Sequence, residues 1–254
     1  LILGFLTDKG GKTSHSAIMA RSLRIPSVVN TLNLSAILHK GDYLILDGFS
    51  GDVIVNPEKS TIEHYRNLKH SYQIFEQKLQ QQKDEPAETR DGVHIELMAN
   101  VDFTHEVNDV KLNRADGIGL YRTESIFIQS SGNPSEEQQY KIYRKLLQDM
   151  APKPVVIRTV DLGGDKLLEG YGQEEELNPF LGWRAIRFCL DSPDLFRRQL
   201  RAILRASAYG KVKLLLPMVC CIREIVETKK IIADIKEDLK GKKINYDDTM
   251  TIGV

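Results

Sequence analysis

One histidine and two arginines occupy positions where they could bind and transfer a phosphoryl group. His15 follows a turn containing Gly10 and Gly11, and we expect Thr13 to cap a helix that places His15 in its first turn. The free N–H groups and positive dipole end of a helix N-terminus favour a bound or covalent phosphate. An imidazole there could act as a nucleophile that becomes anionic on phosphorylation. An ordinary capped helix with a surface histidine is the alternative.

Arg122 and Arg158 each stand at the end of an apolar run that predicts a β-strand, one strand–helix unit apart. Both therefore belong at the carboxyl ends of neighbouring parallel strands, where folds of this kind place their active sites. Two guanidinium groups there would bind a phosphate or carboxylate in bidentate fashion. The alternative is that both arginines pair with local acids such as Glu124 and Asp161.

Further cations follow the second of these strands. Residues 161–166 add a flexible, glycine-containing backbone and the ammonium group of Lys166 to the same edge. Arg184, beside the single tryptophan Trp183, is a candidate third anion contact. A core position for Trp183 with solvated arginines fits the pattern equally well. Four more arginines are expected to line the solvent-exposed face of one helix, with no assigned role: Arg197, Arg198, Arg201 and Arg205.

The first third of the chain predicts a small α/β unit followed by a connector. Residues 1–57 read as a strand, the glycine turn, a helix, a strand at 25–29 and a hairpin formed by 41–47 and 52–55. Residues 58–90 carry one narrow apolar stripe with a period of about 3.5. That pattern predicts one long helix that joins two domains.

The remaining residues, 91–254, alternate between strand and helix patterns. The expected strands are 95–101, 117–121, 155–158, 212–216 and 249–254, and the clearest helices are 136–147, 194–208 and 222–239. Such alternation predicts a parallel sheet, open or closed. A complete (β/α)₈ barrel takes about 250 residues, so this stretch would supply about five of its eight strands.

Composition excludes several classes of protein. The 254 residues contain 35 Lys+Arg and 35 Asp+Glu, so the basic excess typical of a nucleic-acid-binding protein is absent. No apolar run reaches the length that a membrane span needs. The three cysteines form no disulfide framework and no CxxC zinc motif, which favours the reducing cytoplasm. Because the sequence starts at Leu1 and stops at Val254 within predicted strands, we expect a segment of a longer protein.

Two competing kinds of active site fit poorly. Gly11-Lys12-Thr13 matches the end of a P-loop, but Leu6 stands where that motif needs its first glycine. Serines flank His15, but no acid is placed to complete a hydrolase triad.

Four separated motifs together resemble the phosphoenolpyruvate-utilising enzymes, a family that includes enzyme I of the bacterial sugar phosphotransferase system, pyruvate phosphate dikinase and phosphoenolpyruvate synthase. Residues 10–21, running on through 25–29, resemble the phosphohistidine signature of that family. Residues 116–124, 157–166 and 178–187 resemble the barrel motifs of the enzyme I branch. The resemblance extends through nearly the whole chain.

The resemblance implies roles for individual residues. His15 would be the phosphorylated histidine, attacking phosphoenolpyruvate through Nε2 to release pyruvate. The phosphoryl group would then pass to the phosphocarrier protein HPr. Arg122 and Arg158 match the family's phosphoenolpyruvate-binding arginines, with Lys166 a weaker candidate beside them.

It also implies an architecture: a phosphohistidine swivelling domain at 1–57, a linker helix at 58–90, and the first part of a phosphoenolpyruvate-binding (β/α)₈ TIM-type barrel at 91–254. Mg²⁺ is the implied cofactor, with its ligands expected beyond Val254 and none in this segment. A homodimer through the barrel is the implied assembly. The segment alone is therefore expected to be inactive.

Ser125 is a departure, since enzyme I usually carries an aromatic residue there. A dikinase or synthase and a degenerate regulatory scaffold are the alternative functions. Residues 157–166 argue against the first, and the retained His15, Arg122 and Arg158 argue against the second.

Overall fold

The structure, a computed structural model, describes residues 2–11, 14–23, 25–163, 178 and 181–254, without the side chains of His15, Ile18 and Ser22. Thr13 and Lys166 lie outside the described residues. The chain divides into two compact units, Leu1–Glu85 and Pro86–Val254.

The first unit contains two small two-stranded sheets and two helices. Its elements in chain order are β1 (Phe5–Thr7), α1 (His15–Ser22), β2 (Ser27–Val29), β3 (Leu44–Leu46), β4 (Val53–Val55) and α2 (Lys59–Gln82). Strands β1 and β2 pair in parallel across the α1 crossover, whereas β3 and β4 form the expected antiparallel hairpin. The small α/β unit and the long helix predicted from the sequence are both observed.

Helix α2 carries its apolar stripe largely in the open. Leu68, Phe75 and Leu79 are exposed, and the described contacts of this stripe include the ring of Tyr72 against Phe49, with centroids 5.3 Å apart. Neither α2 nor any other helix of the described residues combines the length and apolar character needed to cross a bilayer.

The second unit is a five-stranded parallel sheet with helices in its crossovers. The strands are β5 (Met98–Val101), β6 (Gly117–Tyr121), β7 (Val155–Arg158), β8 (Val212–Leu215) and β9 (Thr251–Gly253). The helices are α3 (Val107–Leu112), α4 (Glu124–Gln129), α5 (Glu136–Met150), α6 (Ile186–Asp191), α7 (Pro193–Ala206) and α8 (Ile222–Gly241). The strand order is β5-β6-β7-β8-β9, so each strand pairs with the next one along the chain. This confirms the predicted parallel sheet.

The core of the second unit lies between the sheet and helices α5, α7 and α8. Ile118, Ile157 and Leu214 supply apolar side chains from three adjacent strands, and each is buried. The first residue of β6 is Gly117. A Cβ at that position would lie 2.5 Å from the carbonyl oxygen of Pro154, which directly precedes β7. Close strand packing therefore requires glycine there.

The sequence predicts that the arginines of α7 line a solvent-exposed face, but two of them pair with acids on neighbouring helices. Arg201 pairs with Glu136 of α5, N to O 3.1 Å, and with Asp238 of α8. Arg205 pairs with Glu136 at 2.7 Å and lies over the ring of Tyr140 at 3.9 Å. These arginines link α7 to its neighbouring helices, a role that depends on tertiary neighbours and not on helical periodicity.

Candidate active site

Arg122 and Arg158 lie side by side at the carboxyl edge of the second unit's sheet. Tyr121 is the register partner of Ile157 across β6 and β7, and an arginine follows each of them. The backbone N–H of Arg122 donates to the carbonyl of Val101 on β5, 2.9 Å away. The hydroxyl of Thr123 donates to the carbonyl of Arg158 at 3.0 Å and ties the two strand ends together. The structure thus confirms the predicted position of both arginines.

Arg122 is held by an acid that the sequence analysis did not single out. Its NH1 donates to both carboxylate oxygens of Asp102, at 2.9 and 3.2 Å. The Arg122 side chain remains 40% exposed, so its other donors face solvent. Ser125, the residue that departs from the family pattern, donates its hydroxyl to the carbonyl of Asp102 at 2.7 Å and fixes the loop that carries this acid.

Arg158 is more deeply placed, with its side chain 15% exposed. Its NH2 lies 2.5 Å from Oε1 of Glu124, and its NH1 lies 3.3 Å from Oδ2 of Asp161. The Asp161 N–H also donates to Oε1 of Glu124, at 3.1 Å. Among the described residues, the buried Nε of Arg158 and Oε2 of Glu124 have no hydrogen-bond partner. Buried polar atoms are rarely left unpaired in native proteins, so this end of the site retains donor and acceptor capacity.

Arg184 completes this ionic network from the other side. Its Nε donates to Oδ1 of Asp161 at 2.7 Å and its NH2 to Oδ2 at 3.2 Å, and both side chains are buried. The prediction of local pairing with Glu124 and Asp161 is therefore confirmed for Arg158. Arg184 is bound to Asp161. Trp183 is half-buried, and its ring lies nearly perpendicular to that of Phe188, with the ring centroids 4.9 Å apart.

Gly163 brings the Arg184 segment to this edge. Its φ of +130° suits glycine, and a bridge joins it to Arg184. A Cβ at this position would stand 2.6 Å from the Cα of Arg184 and closer still to the carbonyl of Trp183.

We expect Gly163→Ala to destabilise the chain by about 2 kcal/mol or more, through backbone strain together with overpacking against fixed main-chain atoms. Urea unfolding followed by circular dichroism measures this change. Gly241→Ala is the matched control, because an added Cβ there meets nothing within 4 Å. Equal free energies of unfolding for Gly163→Ala and the parent would contradict the close packing of Gly163 against the backbone of Arg184.

In the first unit, the backbone of His15 begins α1, as predicted. The N-cap is Ser14 and not the expected Thr13. The Ser14 hydroxyl accepts a hydrogen bond from the N–H of Ala17 at 3.3 Å. Ala17 is three residues further along the chain, the usual partner of an N-cap side chain. The Ser14 N–H in turn donates to the carbonyl of Gly11 at 3.0 Å.

Asp8 anchors the loop that leads to this helix. Its carboxylate accepts from the Thr31 hydroxyl at 2.9 Å and from the Ser35 N–H at 3.1 Å, as well as from the Ser35 hydroxyl. These bonds, those from Ser35 most of all, hold the pKa of Asp8 below its ordinary value. Asp8 and Asp102 each follow directly after the last residue of a parallel strand. The positional argument used for the arginines would have found both acids.

One side-chain cluster of the described residues has the composition of a metal site: Cys220, Cys221 and Glu224, after β8. Its thiols are not ligands that Mg²⁺ prefers. The carboxylates of Asp102, Glu124 and Asp161 face arginines instead of one another. The described residues thus contain no group of three carboxylates that converge on one point.

Comparison with known proteins adds to this geometry. Residues 76–254 match the family model described as PEP-utilising enzyme, PEP-binding domain. Residues 1–51 match the one described as PEP-utilising enzyme, mobile domain. The chain belongs to the PEP-utilising enzyme family.

Curated members of the family match along the whole chain. A phosphoenolpyruvate-protein phosphotransferase of Staphylococcus aureus is 46% identical over 253 residues, which are 100% of this chain and 44% of that protein. The proteins of the same name from Staphylococcus carnosus and Listeria innocua are 43% and 42% identical, with the same coverage. An NMR solution structure of Enzyme I (nEIt) is 55% identical over 28% of this chain and 29% of that one, with a TM-score of 0.27, too low to bear on the fold. This family member thus spans less than half the length of its curated relatives.

Proposed function

We propose that this chain is part of a phosphoenolpyruvate-protein phosphotransferase, enzyme I of the sugar phosphotransferase system. Its full-length protein would transfer the phosphoryl group of phosphoenolpyruvate to His15 and then to the phosphocarrier HPr. The observation that carries the proposal is Arg158, a half-buried guanidinium at the sheet's carboxyl edge whose Nε lacks a partner among the described residues. The name of the curated relatives supports it.

The proposal includes the finer architecture. Residues 1–57 would be the phosphohistidine swivelling domain, 58–90 the linker helix, and 91–254 the first part of a (β/α)₈ barrel. The strand order β5-β6-β7-β8-β9 supports a barrel, because an open doubly wound sheet reverses its order at a switch point. In a barrel every strand pairs with its successor in the chain.

The substrate would lie over the edge that Arg122 and Arg158 form. Guanidinium groups match phosphate and carboxylate geometry, and phosphoenolpyruvate carries both groups. Arg122 offers its exposed guanidinium group and Arg158 the exposed part of its own, while Asp102, Glu124 and Asp161 fix the orientation of both guanidinium planes. Lys166, outside the described residues, is proposed as a further substrate contact.

In the first step, Nε2 of His15 would attack the phosphorus of phosphoenolpyruvate. The new N–P bond forms as the P–O bond to the enol oxygen breaks, and the enolate that leaves takes up a proton to become pyruvate. In the second step, the phosphoryl group would pass to HPr, and the N–P bond to His15 would break as the bond to HPr forms. Phosphoryl transfer depends on positioning and charge neutralisation, and a fixed arginine pair supplies both.

Mg²⁺ is the cofactor that we propose for the full-length protein, where it would neutralise phosphate charge. We expect its ligands beyond Val254, and every step above uses this chain's own groups. A cytoplasmic location and a homodimer through the barrel complete the proposal. Nucleic acid and membranes have no part in it.

The test uses the protein at its full natural length, incubated with Mg²⁺ and either phosphoenolpyruvate or ATP. Intact and peptide masses are taken at alkaline pH, at which phosphohistidine survives. We expect one phosphoryl group on His15 from phosphoenolpyruvate alone. Label that requires ATP would move the protein to the dikinase class, and no label from either donor would favour the degenerate scaffold.

A further inference from the structure

Two adjacent thiols and a carboxylate meet in the loop between β8 and α8. Cys220 and Cys221 are both exposed, and Glu224 in the first turn of α8 is buried. One Sγ atom from each cysteine and one oxygen of Glu224 all lie within 4.8 Å of one another. The loop follows a strand's carboxyl end, on the same edge of the parallel sheet as Arg158.

Helix capping explains only part of this arrangement. Oε2 of Glu224 accepts the N–H groups of Cys220 and Cys221 at 2.8 and 3.3 Å, as the glutamate of a capping box does. These bonds fix the carboxylate and leave Oε1 directed at the Cys220 thiol, 3.3 Å from its Sγ. The same capping box also places the Cys221 side chain against the N–H of Glu224. It does not account for the Cys220 thiol, which the cap does not need.

We propose that Cys220, Cys221 and Glu224 bind a divalent cation of the zinc class, with a fourth position open to water or another ligand. Zn–S bonds of about 2.3 Å place two tetrahedral thiolates about 3.8 Å apart. The observed spacing comes within reach by rotation of two exposed side chains. Binding M²⁺ to the two thiolates releases both thiol protons to solvent.

The surroundings act on the proposed ligands in both directions: the hydrogen bond to Glu224 raises the pKa of the Cys220 thiol, whereas a helix N-terminus favours anions. Cys221 is the N-cap of α8, a 20-residue helix whose positive dipole end faces the thiols. Burial acts to raise the pKa of Glu224, but hydrogen bonds from the two cysteines and the charge of Arg187 outweigh it, so that pKa lies below its ordinary value. Two thiolates and one carboxylate exceed the charge of M²⁺ by one, which Arg187 offsets.

Cys189 provides an internal reference. It is fully buried in the core, and burial raises the pKa of its thiol. Cys189 therefore cannot contribute to an exposed metal site. It is kept in every variant of Cys220, Cys221 and Glu224.

The full-length protein, kept reduced and in excess Mg²⁺ to occupy hard oxygen sites, is titrated with Co²⁺. We expect one ion per chain with a near-ultraviolet sulfur-to-cobalt charge-transfer band, and displacement of that ion by Zn²⁺. In the double variant C220S/C221S the band should disappear. Serine is a preferred N-cap residue, so this variant retains the start of α8.

Glu224→Gln should weaken Co²⁺ binding about 10-fold or more, while its amide oxygen still accepts the two N–H groups. Glu227→Gln, on the exposed face of the same helix, is the control and should bind as the parent does. An equal band in the parent and the double serine variant would overturn the proposal, as would a parent that binds no Co²⁺. None of these readouts depends on the proposed phosphotransferase activity.

Discussion

Replacing His15 with alanine should reduce phosphoenolpyruvate-dependent labelling of the full-length protein to background. The proposed reaction forms its N–P bond at this imidazole, and a methyl group offers no nucleophile in its place. His15 begins α1, where the free N–H groups of the first turn favour the charge that phosphorylation adds. The measurement is peptide mass at alkaline pH after incubation with phosphoenolpyruvate and Mg²⁺.

His39→Ala is the matched control for this variant. His39 lies in the same unit and its side chain is 84% exposed, so its loss should leave both folding and labelling as in the parent. Label that persists in His15→Ala would place the phosphoryl group on another residue. That outcome would refute the role of His15. Whether phosphoenolpyruvate or ATP is the phosphoryl donor would still be decided by the labelling of the unmodified protein with each compound.

Replacing Arg158 with lysine should lower the rate of His15 phosphorylation by about 10²- to 10³-fold, the usual cost of removing one donor to the developing charge. Lysine keeps the positive charge beside Glu124 and Asp161 but cannot present the planar fork or its Nε–H. A single-turnover assay with phosphoenolpyruvate measures the rate. Urea unfolding of the same variant measures its stability.

Arg201→Lys separates these two effects. Arg201 is 14% exposed, against 15% for Arg158, and also pairs with two acids, but it lies on helix α7. We expect a similar loss of stability in both variants and a normal phosphorylation rate in Arg201→Lys. An equal loss of rate in the two would show that activity follows stability, and that Arg158 has no direct part in binding substrate.

The regular elements were predictable because their signals are local. The apolar runs at 117–121 and 155–158 became β6 and β7 with the expected bounds. The long helix extends over Lys59–Gln82, ending earlier than predicted, where polar residues and then Pro86 follow. Helices α3 and α4, of six residues each, were not among the helices given bounds from the sequence, because a helical period cannot show itself in so short a segment.

The candidate site was predictable in position, and the acids that pair with Arg158 were named as an alternative, but the partner of Arg122 was not predicted. The rule that parallel strands place their following residues on one edge located Arg122 and Arg158. It did not identify Asp102 as the partner of Arg122, because that acid lies 20 residues earlier in the chain, after β5. The role of Arg201 was missed for the same reason, since its acids come from α5 and α8.

The strand order has a practical consequence for the solubility of this chain. Within the described residues, β5 and β9 each pair on one side only, so each leaves a row of backbone donors and acceptors open. Uncovered rows of this kind are templates on which other chains add strands and aggregate. In the barrel that we propose for the full-length protein, covering β5 and β9 would also protect the chain from strand-mediated aggregation.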